Sequence, residues 1–275
     1  MSLKSLTVVM SVYHADSSLL FKKAVDSILN QTVKPTEIII VLDGPVGAEI
    51  GDVLHNIVED NNIIKVIKLE ENKGLAFARK LAINEASNEL IAVMDSDDVC
   101  VKDRFEVQMR EFSDEKTDVV GGWIEEFNVY PGDQGIIRKT PTEYYDIYRL
   151  GKWRNPINHV TLMFKKSSYK KIGGYSELLA NEDWEMISRM LVNGLIIRSI
   201  PQVLVHVRGG SDMITRRRSS RQFWGEMKAF RLMYECNYLN LSHLIANVCL
   251  RTVIRILPMS FTAFLYNNVL RKNNN

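Results

Sequence analysis

The segment Leu90-Ile91-Ala92-Val93-Met94-Asp95-Ser96-Asp97-Asp98 joins five apolar residues to an acidic turn. A short apolar run without a polar break is a strand buried on both faces, the kind that builds parallel sheets covered by helices. In such sheets ligands bind outside the carboxyl ends of the strands, where this turn falls. Runs of the same kind occur at Leu6–Val12, Glu37–Leu42 and Ile63–Leu69, and Asp43-Gly44-Pro45 stops the second. Helical patterns alternate with them. The first is capped by Asp16 or Ser17 and aligns Leu20, Phe21, Ala24, Val25, Ile28 and Leu29 on one face. Ala48–Glu59, Gly74–Ala86 and Lys102–Phe112 supply the others. The expected class is α/β, a mostly parallel central sheet flanked by helices.

Beyond residue 118 the pattern loosens. Asp118–Trp123, Glu126–Tyr130 and Val160–Lys165 read as strands, as do Leu195–Ile200 and Gln202–Val207 on either side of Pro201. Asn181–Val192 reads as a helix. Ser219–Glu235, Ser242–Leu257 and Ser260–Leu270 predict a helical C-terminal extension, with Pro258 separating the last two.

Composition sets limits. The 275 residues are 46% hydrophobic and 25% charged, which excludes a mainly disordered chain, a collagen-like repeat and a disulfide miniprotein. Cys100, Cys236 and Cys249 are odd in number and lack zinc spacing, so they are expected to be reduced thiols in a cytosolic compartment. No secretory signal and no membrane span are expected. From Asp212 onward ten Lys and Arg face three Asp and Glu, whereas the rest of the chain holds 25 against 30. This acidic body with a basic tail suits an anionic ligand or surface near the tail. No motif of nucleic-acid recognition is present.

The acidic turn carries the strongest chemical signal. Asp95, Asp97 and Asp98 repel one another unless a cation or hydrogen-bond donors compensate, and hard divalent cations take such oxygens together with phosphate. Mn2+ or Mg2+ clamping a diphosphate is one reading; a solvated turn capping the next helix is the other. The segment Lys73–Arg79 opens a helix after a turn, and its Arg79 suits a phosphate or a base, or is a surface residue. Glu182 and Asp183 begin a helix, either to complement its dipole or as a general base. His159 orients an acceptor, binds phosphate or serves the structure. His206 ends a strand before Gly209-Gly210, as a ligand of metal or diphosphate. Arg208, Arg216 and Arg217 follow as candidates for a diphosphate, the charge run being otherwise a solvated face. The apolar stretch from Leu244 to Leu265, interspersed with Arg, suits a membrane interface, the body of the protein or a homo-oligomer.

Taken together, these motifs resemble the family 2 inverting glycosyltransferases of the GT-A fold, over roughly residues 4–210. Val8–Tyr13 resembles the family's first strand and the loop holding uracil, and Ser27–Thr32 its S-I-L-x-Q-T helix end. Asp43 falls at the uracil-contacting Asp. Asn72-Lys73-Gly74 with Arg79 matches N-x-G-x-x-x-A-R, and Asp95-Ser96-Asp97 matches the Asp-x-Asp metal motif. Gly173-Gly174-Tyr175 followed by Glu182-Asp183-Trp184 matches the segment whose Asp is the catalytic base. Two positions depart from the pattern: Pro45 follows Asp43-Gly44 where a second acid is usual, and His14 stands where Asn is common.

The resemblance implies residues 1–117 as a nucleotide-sugar-binding half, 118–211 as an acceptor and catalytic-base half, and 212–275 as a tail that is membrane-peripheral or oligomeric. It implies that Ser11, Tyr13, Asp43, Arg79, Asp95 and Ser96 hold the nucleotide. Asp95, Asp97, Asp98 and His206 would hold the metal, with Asp183 as base and Glu182 assisting. The subset that builds bacterial surface polysaccharides, including O-antigen, fits best. It implies transfer of a hexose from a UDP-sugar to a sugar on a polyprenyl diphosphate, at the cytoplasmic face of the membrane. UDP-glucose is the expected donor, then UDP-galactose or a UDP-N-acetylhexosamine. A nucleotidyltransferase would need a Gly-rich phosphate loop after the first strand, and a hydride-transfer enzyme G-x-G-x-x-G; Tyr13–Asp16 supplies neither. A non-catalytic nucleotide-binding scaffold is the remaining rival.

Overall fold

A computed structural model describes residues 5–178, 180–209 and 220–256, without the side chains of 221, 254 and 256. The first half alternates β1 (Leu6–Val12), α1 (Ser18–Leu29), β2 (Glu37–Leu42), α2 (Ala48–Asp60), β3 (Ile64–Lys68), α3 (Leu75–Glu85) and β4 (Leu90–Asp95). Strands β3, β2, β1 and β4 lie side by side and parallel. Their residues alternate between two cores, as a period of two requires. Val9, Ile39, Ile91 and Val93 face one side, with Ala78 and Ala82 of α3. Val8, Ile38, Ile40 and Ala92 face the other, with Phe21, Val25 and Ile28 of α1 and Ile50 and Leu54 of α2. Burial on both sides is why the sequence shows continuous apolar runs here. Ser17 caps α1, its hydroxyl accepting from the Leu20 amide at 3.5 Å.

The sheet then turns mixed. The later elements are β5 (Val99–Cys100), α4 (Arg104–Glu111), β6 (Thr117–Phe127), β7 (Ile136–Arg138), α5 (Tyr144–Leu150), β8 (Met163–Lys165) and α6 (Lys166–Lys171). Helix α7 (Glu182–Val192), β9 (Ile196–Arg208), α8 (Ser220–Glu235) and α9 (Leu241–Ile256) follow. The order across the sheet is β3-β2-β1-β4-β8-β6-β9-β5, with β7 paired to β6. The sheet therefore crosses the expected division at residue 117 without a break.

Two strand expectations need correction. The pair Asp118–Trp123 and Glu126–Tyr130 is one strand, β6, because β9 pairs with it in parallel along its length. The pair flanking Pro201 is likewise one strand, β9. Its register steps from Gly122 opposite Ile200 to Trp123 opposite Val203, so Pro201 and Gln202 bulge out of the ladder. A proline without an N–H costs no ladder bond at such a position. The short elements β5, β7, α5 and α6 were not expected, since two to seven residues carry too little periodicity to read. Tail helices α8 and α9 agree with expectation, and the third expected helix, Ser260–Leu270, lies outside the described residues.

Candidate active site

Parallel pairing brings the carboxyl ends of β1, β2 and β4 to one edge. Ser11 lies opposite both Val41 and Asp95 in the ladders. Asp43, directly after β2, is buried, and its carboxylate accepts from the Lys73 amide at 2.7 Å and the Gly74 amide at 3.0 Å. It thus ties the turn before α3 to the end of β2. Only glycine fits at position 44: φ is +88°, and a Cβ there would stand 2.7 Å from the Asn72 nitrogen. Tyr13 is exposed over this edge.

The acidic turn after β4 is organised by partners. Asp95 accepts from Arg79 Nη2 at 2.6 Å. Ser96 is buried and donates to Asp16 at 2.8 Å; Asp16 also accepts from the Tyr13 amide. Asp98 accepts from the Arg208 amide at 2.9 Å, which pins the end of β9 to the turn. Burial, reinforced by Asp95, pushes the carboxyls of Asp97 and Asp98 above the usual range. Asp16 adds to the effect at Asp97, while the exposed side chain of Arg208 opposes it. The fully buried guanidinium of Arg104, which donates to the Val93 carbonyl at 2.9 Å, opposes it at Asp98.

Arg79 joins this turn to the second half of the chain. It is 5% exposed and reaches Glu182 Oε1 at 3.4 Å as well as Asp95. Flanked by two carboxylates, its guanidinium is held in the charged form. Glu182 and Asp183 begin α7 after Asn181, which takes the left-handed conformation at φ 60°. Asp183 accepts from its neighbour's amide, Trp184 N, at 2.8 Å and from Asn155 Nδ2 at 2.7 Å. Burial raises the carboxyls of both Glu182 and Asp183, with Asp183 raising Glu182 further and Arg79 opposing the shift in each. A carboxylate kept in a poorly solvated site beside a cation is a competent proton acceptor near neutral pH.

The structure thus brings together Ser11, Arg79, Asp95, Ser96, Asp97, Asp98, Glu182 and Asp183, either in one ladder or through direct bonds and electrostatic coupling, with Asp43 at the end of the neighbouring strand β2. Two other candidates, His206 and His159, are placed differently. His206 lies opposite Val99 in the ladder, and its Nδ1 is 2.8 Å from a carboxylate oxygen of Glu125. Among the described residues no three His, Cys, Asp or Glu side chains converge as a metal cage. The reason is visible: Asp95 is turned to Arg79, Asp98 to the Arg208 amide and His206 to Glu125. His159 Nε2 meets the Tyr175 hydroxyl at 2.6 Å, and burial together with Arg79 keeps the ring neutral, which suits it poorly to phosphate. Arg216 and Arg217 lie outside the described residues. Sequence reasoning missed Asp16, Asn155 and Arg104 as members of the site, and with them Arg138 at the end of β7, whose charge opposes the upward shift of the Asp183 carboxyl. Nothing in their spacing marks them, since each arrives from a separate loop, helix or strand.

Fold and site together define a GT-A glycosyltransferase. The mannosyltransferase PcManGT from Pyrobaculum calidifontis, solved with GDP-Man and Mn2+, shares the fold at a TM-score of 0.64 and 16% identity, over 98% of this chain and 82% of that one. Residues 7–173 match the family described as Glycosyl transferase family 2, and the chain belongs to it. It is 35% identical to the Escherichia coli UDP-Gal:alpha-D-GlcNAc-diphosphoundecaprenol beta-1,3-galactosyltransferase, over 97% of this chain and 96% of the relative. It is 28% identical to the amylovoran biosynthesis glycosyltransferase AmsE of Erwinia amylovora, over 94% and 97%.

Proposed function

We propose that this protein transfers a hexose, with inversion, from a UDP-sugar to a sugar hydroxyl of a polyprenyl-diphosphate-linked acceptor, in the assembly of a bacterial surface polysaccharide. The observation that carries the reading is the bridge Asp95–Arg79–Glu182, which couples the acidic turn to the buried acid pair. Sequence expectation favoured glucose as the hexose. The E. coli relative is named for UDP-Gal, which supports galactose here in its place. That relative is also named as a beta-transferase, the product expected when an α-linked UDP-sugar is attacked from the opposite face.

Asp183 takes the proton of the acceptor hydroxyl as its oxygen attacks the anomeric carbon and UDP departs. Arg79 favours the charged form of the base, and through its contacts with Glu182 and Asp95 it ties the acid pair to the donor side. Ser11, Tyr13 and Asp43 frame the nucleoside edge. The carboxylate oxygens of Asp95 and Asp97, the latter pushed up in pKa by burial and by its acidic neighbours, fit a hard divalent cation, and these two residues would hold it. When bound, Mn2+ or Mg2+ supplies a positive charge against the diphosphate leaving group. Among the described residues no helix is long and apolar enough to cross a membrane. Helix α9 instead exposes Leu241, Ile245, Leu250 and Val253, which supports peripheral contact of the tail with the cytoplasmic leaflet carrying the acceptor.

Purified protein incubated with Mn2+, a panel of UDP-sugars and a synthetic GlcNAc-diphosphate-lipid is expected to add one hexose by mass, most rapidly from UDP-galactose and not in EDTA. Absence of product with every donor, despite UDP binding, would overturn the proposal. The same assay carries a pH prediction. Asp183 acts only when ionised and its carboxyl is raised, so kcat should climb with pH along a limb whose midpoint lies above the ordinary aspartate value of about 3.9. A limb centred at or below that value would contradict the assignment.

A further inference from the structure

We infer that Asn155 is a positioning residue for the base and that the C-terminal tail, through α9 and the turn before it, holds it in place; this rests on the reading of Asp183 as the base. Asn155 Nδ2 donates to Asp183 Oδ2 at 2.7 Å, while its own Oδ1 accepts from the Ile157 amide at 3.3 Å. The second bond orients the amide so that its donor faces Asp183. With the Trp184 amide on Oδ1, the carboxylate is held through both oxygens, and its orientation toward an acceptor hydroxyl is set before any substrate arrives.

Asn155 lies in the connection after α5, which has little regular structure of its own, and the tail grips the end of α5 and that connection by their backbone carbonyls. Tyr238 donates its hydroxyl to the Tyr148 carbonyl at 2.7 Å. The buried Asn247 of α9 donates to the Lys152 carbonyl at 2.9 Å, and Arg251 to the Trp153 carbonyl at 3.3 Å. The Arg251 guanidinium also lies over the ring of Trp184, 5.8 Å from its centroid, and Trp184 Nε1 donates to the Gly151 carbonyl at 2.6 Å. Base helix, connection and tail are therefore one braced unit.

The charged or titratable groups facing Asp183 are Glu182 on α7, Arg79 on α3, Arg138 on β7 and Tyr175 before α7. Asn155 is neutral, so replacing it alters the aim and stabilisation of the base without removing a charge. In the full chain, Asn155→Ala should lower kcat about 10- to 100-fold, leave the KM for the UDP-sugar unchanged and move the acid limb to higher pH. Asn155→Asp should move the limb further, because a second carboxylate then faces the first. Asn247→Ala should act in the same direction and more weakly.

Folding is checked by circular dichroism and UDP binding, and Asn155→Ser carries the same readouts should the alanine variant not fold. A wild-type kcat and acid limb in the Asn155 variants would overturn the positioning role, as would a raised acceptor KM with the limb unmoved. A wild-type Asn247→Ala would overturn the part given to the tail. Asp183→Asn is measured alongside: if it keeps turnover, the base assignment itself fails, whatever Asn155 does.

Discussion

Asp183→Asn is expected to lower kcat by about 10²- to 10⁴-fold, the range a general base supplies, while the protein still folds and binds UDP. The amide cannot accept the acceptor's proton. Its shape matches the carboxylate, and its oxygen can still take the Trp184 amide. The contact with Asn155 would set one NH2 group against another unless Asn155 turns over, a change that costs the bond from the Ile157 amide. Thermal stability should hold or rise, for a physical reason. Burial raises the Asp183 carboxyl, so ionising it in the folded state is unfavourable. That cost is absent well below the ordinary carboxylate range and fully present above the raised value, and a neutral amide avoids it. Product formation by mass, read beside a melting curve, tests both halves. Near-normal turnover would require another base.

The second large effect is expected at Arg79. Arg79→Met should both destabilise the protein and remove activity. It takes a guanidinium that is 5% exposed from between Asp95 and Glu182, and Glu182, itself 13% exposed, is left beside Asp183. Breaking a buried pair from one side costs about 3–5 kcal/mol, and the lower end applies because Asp95 is 36% exposed and partly screened by solvent. The sign of the pH dependence follows. Arg79 favours the charged forms of Glu182 and Asp183, so its loss raises both carboxyls further. The destabilisation should be largest at neutral pH and shrink as pH falls and the acids are protonated. Arg79→Lys keeps the charge but not the two-sided fork, and should fall between the wild type and the methionine variant. Urea titrations at pH 7.5 and pH 4 decide this. An equal loss at both pH values would mean that packing, not charge, is what Arg79 contributes.

Much of the fold was legible because its signals are local. The strands Leu6–Val12 and Glu37–Leu42 were read to the residue, since burial on both faces leaves an unbroken apolar run. Strand β9 was misread at Pro201 because a bulge is a property of the pair, and the partner strand β6 lies some 80 residues earlier in the chain. The motif residues Asp43, Arg79, Asp95, Asp97 and Asp183 were legible for the same local reason: each belongs to a short recognisable segment at the end of a strand or the start of a helix.

Their partners were not legible. The sequence alone determined which residue types stand at the carboxyl ends of the strands, because hydrophobic periodicity fixes where each strand stops. Only the tertiary structure decided what those residues touch. It turned Asp43 onto the Lys73 and Gly74 amides, Asp98 onto the Arg208 amide and His206 onto Glu125, and it set Asn155 against Asp183. Such contacts join positions 28 to 110 residues apart. Directional bonds of about 3 Å depend on the packing of several elements at once, and that packing leaves no period in the chain.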